Sequence, residues 1–125
     1  MIRHRRLALA VLGLCSISCR DLCSNRVLRE TVSPDKENRA VMFERDCGAT
    51  TDFSTQVSIL GFKESLPDKA GNIFIADSNH GAVTNLKVGI RWSSPRQLVI
   101  SYSPQARVFR KQNSAGDVAI VYESN

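Results

Sequence analysis

The residue types best suited to chemistry lie together in residues 45–56, between two apolar segments. Small residues in this run expose backbone N–H groups, and its hydroxyls and carboxylates can bind an anion or a carbohydrate. The alternative, which we favour, is a tight loop whose hydroxyls satisfy their own backbone. The candidate binding residues are Asp46, Gly48, Thr50, Thr51, Asp52, Ser54 and Thr55, joined by His80 from a later loop.

His80 follows Asp77 in a polar segment. A histidine near carboxylates could bind a metal ion, or act as a base that a carboxylate orients. No pair of ligands has the spacing typical of a metal site, so a surface turn is favoured and neither metal nor cofactor is predicted. A Cys47–His80 dyad would need a reduced thiol. A thiol or hydrolytic enzyme is therefore the last-ranked alternative, and the domain is predicted to be non-enzymatic.

The first residues have the layout of a secretory signal, because Arg3, Arg5 and Arg6 stand directly before an apolar run that reaches residue 18. This run is too short to span a membrane, which takes about 20 residues. The expected organisation is a lipoprotein-type signal peptide, with its signal helix, over residues 1–18, an anchor and linker over residues 19–26, and one β domain over residues 27–125.

The end of this segment, Ser16-Ile17-Ser18-Cys19, resembles the lipobox of bacterial lipoproteins, although Leu is usual where Ser16 stands. The resemblance implies that Cys19 becomes the acylated N-terminus and that the membrane is a partner through this lipid. Arg20, rather than Asp, follows Cys19, which implies sorting to the outer membrane with the domain facing the periplasm. Ordinary signal-peptidase cleavage nearby is the alternative.

Removal of the signal also changes the charge. The formal net charge of +5 includes the three N-terminal arginines, and without them 14 basic residues face 12 acidic ones. The remaining basic residues are scattered along the chain, whereas nucleic-acid binding needs a concentrated basic face. No nucleic-acid partner is predicted.

Two cysteines remain if Cys15 leaves with the signal and Cys19 carries lipid, namely Cys23 and Cys47. Exported proteins mature in oxidising compartments, where such a pair usually forms a disulfide. The sequence therefore predicts a Cys23–Cys47 bridge that ties the linker to the first long strand.

Alternating apolar and polar residues, separated by Pro, Gly, Asn and Asp, recur along the remaining 107 residues. The pattern predicts an all-β domain, either a small antiparallel sandwich or a strongly bent meander of about seven or eight short strands. Residues 33–35 form a turn between the first two strands, residues 61–71 form a loop, and residues 112–116 close a final hairpin. The predicted strands cover residues 27–32, 39–46, 53–60, 72–76, 86–92, 98–102, 106–111 and 117–123.

Several short motifs resemble a family of small uncharacterised bacterial envelope proteins and lipoproteins. Lys36 and Asp52 stand where that family often has Gly, and the resemblance implies an envelope location without implying an activity. The motifs are Ser33-Pro34-Asp35, Ala40-Val41-Met42-Phe43-Glu44-Arg45-Asp46-Cys47-Gly48-Ala49-Thr50-Thr51, Phe53-Ser54-Thr55-Gln56-Val57-Ser58-Ile59, Asn72-Ile73-Phe74-Ile75-Ala76-Asp77 and Trp92-Ser93-Ser94-Pro95.

The leading functional hypothesis is a non-enzymatic, membrane-anchored accessory domain of the cell envelope that binds a protein or a glycan, or serves structurally. Three expectations motivate this hypothesis: a lipid anchor, a small disulfide-bonded domain and the absence of a catalytic motif. The alternative is a small-ligand or metal-binding β domain that uses residues 47–56 and His80.

Overall fold

The computed structural model describes residues 22–48 and 53–125. The predicted signal peptide, the lipidation site Cys19 and the loop residues Thr50, Thr51 and Asp52 lie outside the described residues. The described residues form strands and turns and contain no helix. No membrane-spanning helix is present in this part of the chain.

Nine strands arrange in two sheets within the described part of the chain, which confirms the predicted all-β class. The first sheet has the order β1-β2-β3-β4-β7 and the second the order β5-β6-β9-β8. The strand bounds are β1 Ser24–Val32, β2 Asn38–Asp46, β3 Ser54–Gly61, β4 Phe74–Asp77, β5 Gly89–Ser94, β6 Gln97–Tyr102, β7 Arg107–Lys111, β8 Ser114–Ala115 and β9 Val118–Ser124.

The strands β7 and β9 do not form the closing hairpin that the sequence predicts. β7 pairs antiparallel with β4 in the first sheet, whereas β9 runs parallel to β6 in the second. Residues 112–116 therefore carry the chain from one sheet to the other, and two of them form the short strand β8 beside β9. The prediction was wrong because both strands bury one face in the same core from opposite sheets, and alternation alone does not distinguish this from a hairpin.

The main core fills the space between the two sheets. Phe74 is fully buried, and its ring lies 5.1 Å from Tyr102 and 6.0 Å from Tyr122 between ring centres. Burial raises the pKa of Tyr122 to about 12, because the charged phenolate would lose its hydration. The other buried members are Ala40, Val57, Ile59, Ile73, Ala76, Ile90, Leu98, Ile100, Val118 and Ile120.

The outer face of the first sheet is also covered, because the loop of residues 62–71 lies across it. Leu66 from this loop packs on the buried side chains of Val41, Phe43 and Leu60. The buried guanidinium of Arg45 donates to Asn25 Oδ1 at 2.7 Å and to Asp68 Oδ1 at 3.0 Å. The loop is thus held by apolar contact and by a charged hydrogen bond.

The predicted turn at residues 33–35 joins β1 and β2 at the end of the sandwich that we call the far end. The Ser33 hydroxyl donates to Asp35 Oδ1 at 2.6 Å and accepts from the Asn38 N–H at 3.0 Å. The hydrogen bond from Ser33 is the largest cause that lowers the pKa of Asp35, and the Glu37 N–H, which donates to Asp35 Oδ1 at 3.1 Å, lowers it further. Lys36 has a φ of 58°, which is the left-handed conformation that favours glycine.

Replacing Lys36 with Gly is expected to raise the free energy of unfolding by up to about 1 kcal/mol, because glycine adopts this φ without the steric cost of a Cβ atom. Thermal melts of the purified protein measure the effect. Lys36→Ala is the matched control, since it removes the same charge and keeps the Cβ atom. A melting temperature that rises equally in both variants would assign the gain to charge and contradict the conformational explanation.

The two sheets are joined at the far end by Arg96, which lies in the turn between β5 and β6. Its guanidinium lies 2.8 Å from Asp35, 3.1 Å from Glu37 and 3.0 Å from Asp117, so it faces carboxylates from both sheets. These side chains are partly or largely exposed. The far end of the domain therefore presents a hydrated group of charges.

Candidate binding cleft

A cleft of about 520 Å³ opens at the opposite end of the sandwich, which we call the disulfide end. At this end β1 begins, β2 ends, β3 begins and β4 ends, as the pairs Ser24↔Asp46 and Ser54↔Asp77 show. The cleft lies between the inner side of the first sheet and the connection from β4 to β5. It is lined by Leu28, Met42, Glu44, Phe53, Thr55, Ser78, Val83, Thr84, Asn85, Leu86, Lys87 and Val88.

A disulfide between Cys23 and Cys47 closes this end, as predicted, with an S–S distance of 2.04 Å. Cys23 directly precedes the first residue of β1 and Cys47 directly follows the last residue of β2. The bridge thus continues the antiparallel pairing of Ser24 with Asp46. Because Cys47 is oxidised, it has no thiolate, and the Cys47–His80 nucleophilic dyad is not formed.

Asp77 anchors the end of β4 although its carboxylate is buried. Arg107 donates to it through two nitrogens, at 3.0 and 2.5 Å, and the Asn79 N–H donates at 2.9 Å. The Arg107 hydrogen bond is the main cause that lowers the pKa of Asp77, against the opposing effect of burial. Asp77 is therefore a charged structural residue at neutral pH.

His80 lies beside this pair, with Nε2 at 2.9 Å from Arg107 Nη1. A guanidinium only donates, so in this contact the imidazole Nε2 is the acceptor. Among the described residues, no group of three His, Cys, Asp or Glu side chains is arranged to hold a metal ion. In this geometry Nε2 of the imidazole is paired with Arg107.

The connection from β4 to β5 turns sharply before it reaches the cleft. Asn79, His80 and Gly81 have successive φ angles of 52°, 56° and 80°, all left-handed. The Val83 N–H donates to the Ser78 carbonyl at 3.0 Å and closes the turn, which buries Val83. This compact turn directs the following residues across the mouth of the sandwich.

Residues 86–88 form a wall of the cleft instead of the start of the predicted strand over residues 86–92. β5 begins only at Gly89, because Lys87 has a φ of 50° and interrupts extended backbone. The Leu86 carbonyl accepts from the Ser103 N–H at 2.8 Å, and the Lys87 carbonyl accepts from Asn125 Nδ2 at 2.6 Å. Both contacts hold this wall against the ends of β6 and β9.

The residues predicted for a binding loop divide into two groups. Thr55 lines the cleft, and so does Phe53 from the same run. Asp46 instead accepts the Gly48 N–H at 2.9 Å, and the Ser54 hydroxyl bonds to the Arg45 carbonyl at 3.4 Å and accepts from Gln56 at 2.7 Å. In the described part of the run, some polar groups are therefore used in hydrogen bonds to neighbouring residues of the same region, and other residues form one wall of the cleft.

Other elements supply walls of the cleft that were not predicted from the sequence, namely Leu28, Met42, Glu44 and the segment 83–88. Leu28 interrupts the pairing register of β1 between Val27 and Arg29, and a bulge of this kind often re-aims a side chain near a site. The two apolar neighbours at Val27 and Leu28, which break strict alternation, were the sequence signal for it. The cleft mixes apolar side chains with hydroxyl, amide and charged groups, which suits binding through contact and hydrogen bonds.

Replacing Asp77 with Asn is expected to lower the free energy of unfolding at pH 7 by about 1–2 kcal/mol, because the partly exposed Arg107 loses its ionic partner. The pKa of Asp77 is lower in the folded state, so its contribution is complete above the unfolded pKa of about 3.9. It is lost as the pH falls through the folded pKa.

Urea unfolding at a series of pH values measures this contribution. The difference between wild type and Asp77→Asn should be constant near neutrality and shrink toward zero in acid. Glu123→Gln is the control, since Glu123 pairs with Arg91 on the surface and its loss should change little. A difference that persists unchanged below the folded pKa would contradict the ionic role of Asp77.

Comparison of the chain with protein-family models, with curated proteins and with solved structures found no match.

Proposed function

We propose that this protein is a non-enzymatic accessory domain of the bacterial cell envelope, anchored by lipid at Cys19, which binds a protein or a glycan in the cleft at the disulfide end. The observation that carries the proposal is the cleft itself, where elements from both halves of the chain meet around a mixed apolar and polar surface. Proteins usually bind their ligands in concave surfaces that combine apolar side chains with a few polar groups.

The proposed location outside the cytoplasm is supported by the Cys23–Cys47 disulfide, which is consistent with an oxidising, exported environment. Acylation of Cys19 and residence in the outer membrane are parts of the proposal that follow from the lipobox resemblance of residues 16–19. A lipid-modified cysteine carries more than one acyl chain, and two chains make membrane anchoring stable.

The chemistry of the cleft supports binding over catalysis. Leu28, Met42 and Leu86 provide apolar contact, while Thr55 and Asn85 provide hydrogen-bonding groups. The described residues around it place no reduced thiol beside an imidazole, since Cys47 is in the disulfide and His80 contacts Arg107. The surface is therefore suited to hold a partner through apolar contact and hydrogen bonds.

A small ligand is the second candidate, and the cleft volume favours it. About 520 Å³ falls in the range of roughly 300–1,000 Å³ typical of small-molecule sites. A thermal-shift screen of envelope-derived sugars and amines separates it from the first proposal. A ligand-dependent rise in melting temperature that is lost on substitution of Leu28 by Arg supports this candidate, and an absence of any shift excludes it.

The first proposal is tested by a photo-crosslinking amino acid placed at Thr84, an exposed residue that lines the cleft. The control position is Phe62, which is 45% exposed and lies toward the far end, where its N–H bonds to the Glu37 carbonyl. Irradiated cells should give a discrete protein or glycan adduct from position 84 and not from position 62.

The same adduct should disappear when Leu28→Arg places a charge in the cleft. Leu28 is 41% exposed, so this substitution leaves the main core intact. No adduct at position 84, or equal adducts at both positions, would refute binding in the cleft.

A further inference from the structure

The distance between the proposed anchor and the folded domain is limited by very few residues. Cys23 is joined to Cys47 by the disulfide, and four residue steps separate it from Cys19. A fully extended chain spans at most about 3.6 Å per residue, so these steps reach no further than about 14 Å. An acyl group at Cys19 would thus hold the disulfide end close to the bilayer surface.

We propose that the disulfide end of the domain docks on the membrane, with the Phe53 side chain inserted at the interface between water and lipid. The inference rests on the proposed lipid anchor and goes beyond it, because an anchor alone does not decide which surface of the domain meets the lipid. The partner of this surface is the bilayer itself.

Two of the three most exposed large apolar side chains among the described residues lie at the disulfide end, the third being Phe109. Leu22 is 87% exposed and Phe53 is 58% exposed. Leu22 precedes the start of β1 and Phe53 precedes the start of β3, so they lie on either side of the end of β2 between them. Apolar and aromatic side chains are stabilised at the boundary between headgroups and acyl chains.

The opposite end also exposes two apolar side chains, Val32 at 44% and Phe62 at 45%, but it carries a group of charges that contact with lipid would have to desolvate. Arg96, Asp35, Glu37 and Asp117 form its hydrated group of charges, and burial of such groups in an apolar medium is costly. β2 has nine residues and extends over about 30 Å, roughly twice the reach of the tether. The far end therefore points into the periplasm in this arrangement.

This orientation restricts the partner of the cleft. Phe53 and Thr55 line the cleft, so its mouth opens beside the lipid surface. A protein or glycan bound there must itself lie at the membrane.

The test uses the mature protein, purified from membranes and reconstituted in phosphatidylcholine vesicles with brominated or ordinary acyl chains. Phe53→Trp adds a fluorophore at the disulfide end, and Phe62→Trp adds one at an exposed phenylalanine toward the far end. The chain has a single tryptophan, Trp92, so wild type gives the background emission. Intact mass shows whether Cys19 is acylated, and circular dichroism shows that each variant is folded.

The new tryptophan at position 53 is expected to lose about half of its emission in brominated vesicles, because interfacial aromatic side chains sit within reach of the acyl chains. The new tryptophan at position 62 is expected to show no loss. Acylated protein with no loss at position 53, or with equal loss at both positions, would overturn the docking and leave the anchor standing. Protein without acyl mass would overturn both.

Discussion

Replacing Cys47 with Ser is expected to lower the free energy of unfolding by about 3 kcal/mol, because the disulfide closes a loop of roughly 25 residues and restricts the unfolded chain. In a domain of about 100 residues this loss lowers the melting temperature by more than about 10 °C. Urea unfolding and thermal melts of the purified protein measure it.

The double variant Cys23→Ser/Cys47→Ser is the control, since it removes the same bond without leaving a free thiol. It should lose about as much stability as the single variant, and a reductant should destabilise wild type while leaving the double variant unchanged. An unchanged melting temperature in Cys47→Ser, with free thiols in the native protein, would contradict the structural role of the bridge.

Replacing Phe74 with Ala is expected to lower the free energy of unfolding by about 4 kcal/mol. Phe74 is fully buried and its ring contacts Tyr102 and Tyr122 from the second sheet. Truncation leaves a cavity between the sheets that packed strands fill poorly. Chemical denaturation followed by circular dichroism measures the change.

Phe62→Ala is the matched control, because Phe62 is 45% exposed and its removal should change stability by less than about 0.5 kcal/mol. Phe74→Leu keeps an apolar side chain of similar size and should lose only about 1 kcal/mol, so it remains measurable if the alanine variant does not fold. Equal effects at positions 62 and 74 would show that the sheets do not share this core.

The strands were predictable because burial in a sheet repeats every two residues. In β2 the alternation assigns Ala40 and Met42 to one face and Val41 and Phe43 to the other, and the structure buries members of both sets in separate clusters. The turn at Ser33-Pro34-Asp35 was predictable for a local reason, since its own side chains make its hydrogen bonds.

Sheet membership was not predictable in the same way. Alternation reports which side chains point inward, and it carries no information on the direction of a neighbouring strand. The parallel pairing of β6 with β9 and the transfer of the chain from β7 into the second sheet depend on contacts between distant residues. The early start predicted for β5 failed because the left-handed Lys87 interrupts an otherwise alternating segment.

Part of the cleft lining lies in the polar run from the end of the second strand to the start of the third. The run at residues 45–56 drew attention through its composition, and Thr55 and Phe53 do line the cleft. The opposite wall, Val83 to Val88, is about 30 residues further along the chain and has no distinctive composition, so folding alone brings it there. His80 was correctly placed in a turn after a strand, but its contact with Arg107 joins residues 27 positions apart.

Both proposals require that the mature chain be a processed, oxidised and acylated envelope protein. The most direct measurement is the intact mass, without reduction, of the protein recovered from cell envelopes. We expect a chain that begins at Cys19, carries the added mass of acyl groups and lacks the two hydrogens lost on formation of the Cys23–Cys47 bond. A chain that begins at Met1, with four reduced cysteines and no acyl mass, would contradict it.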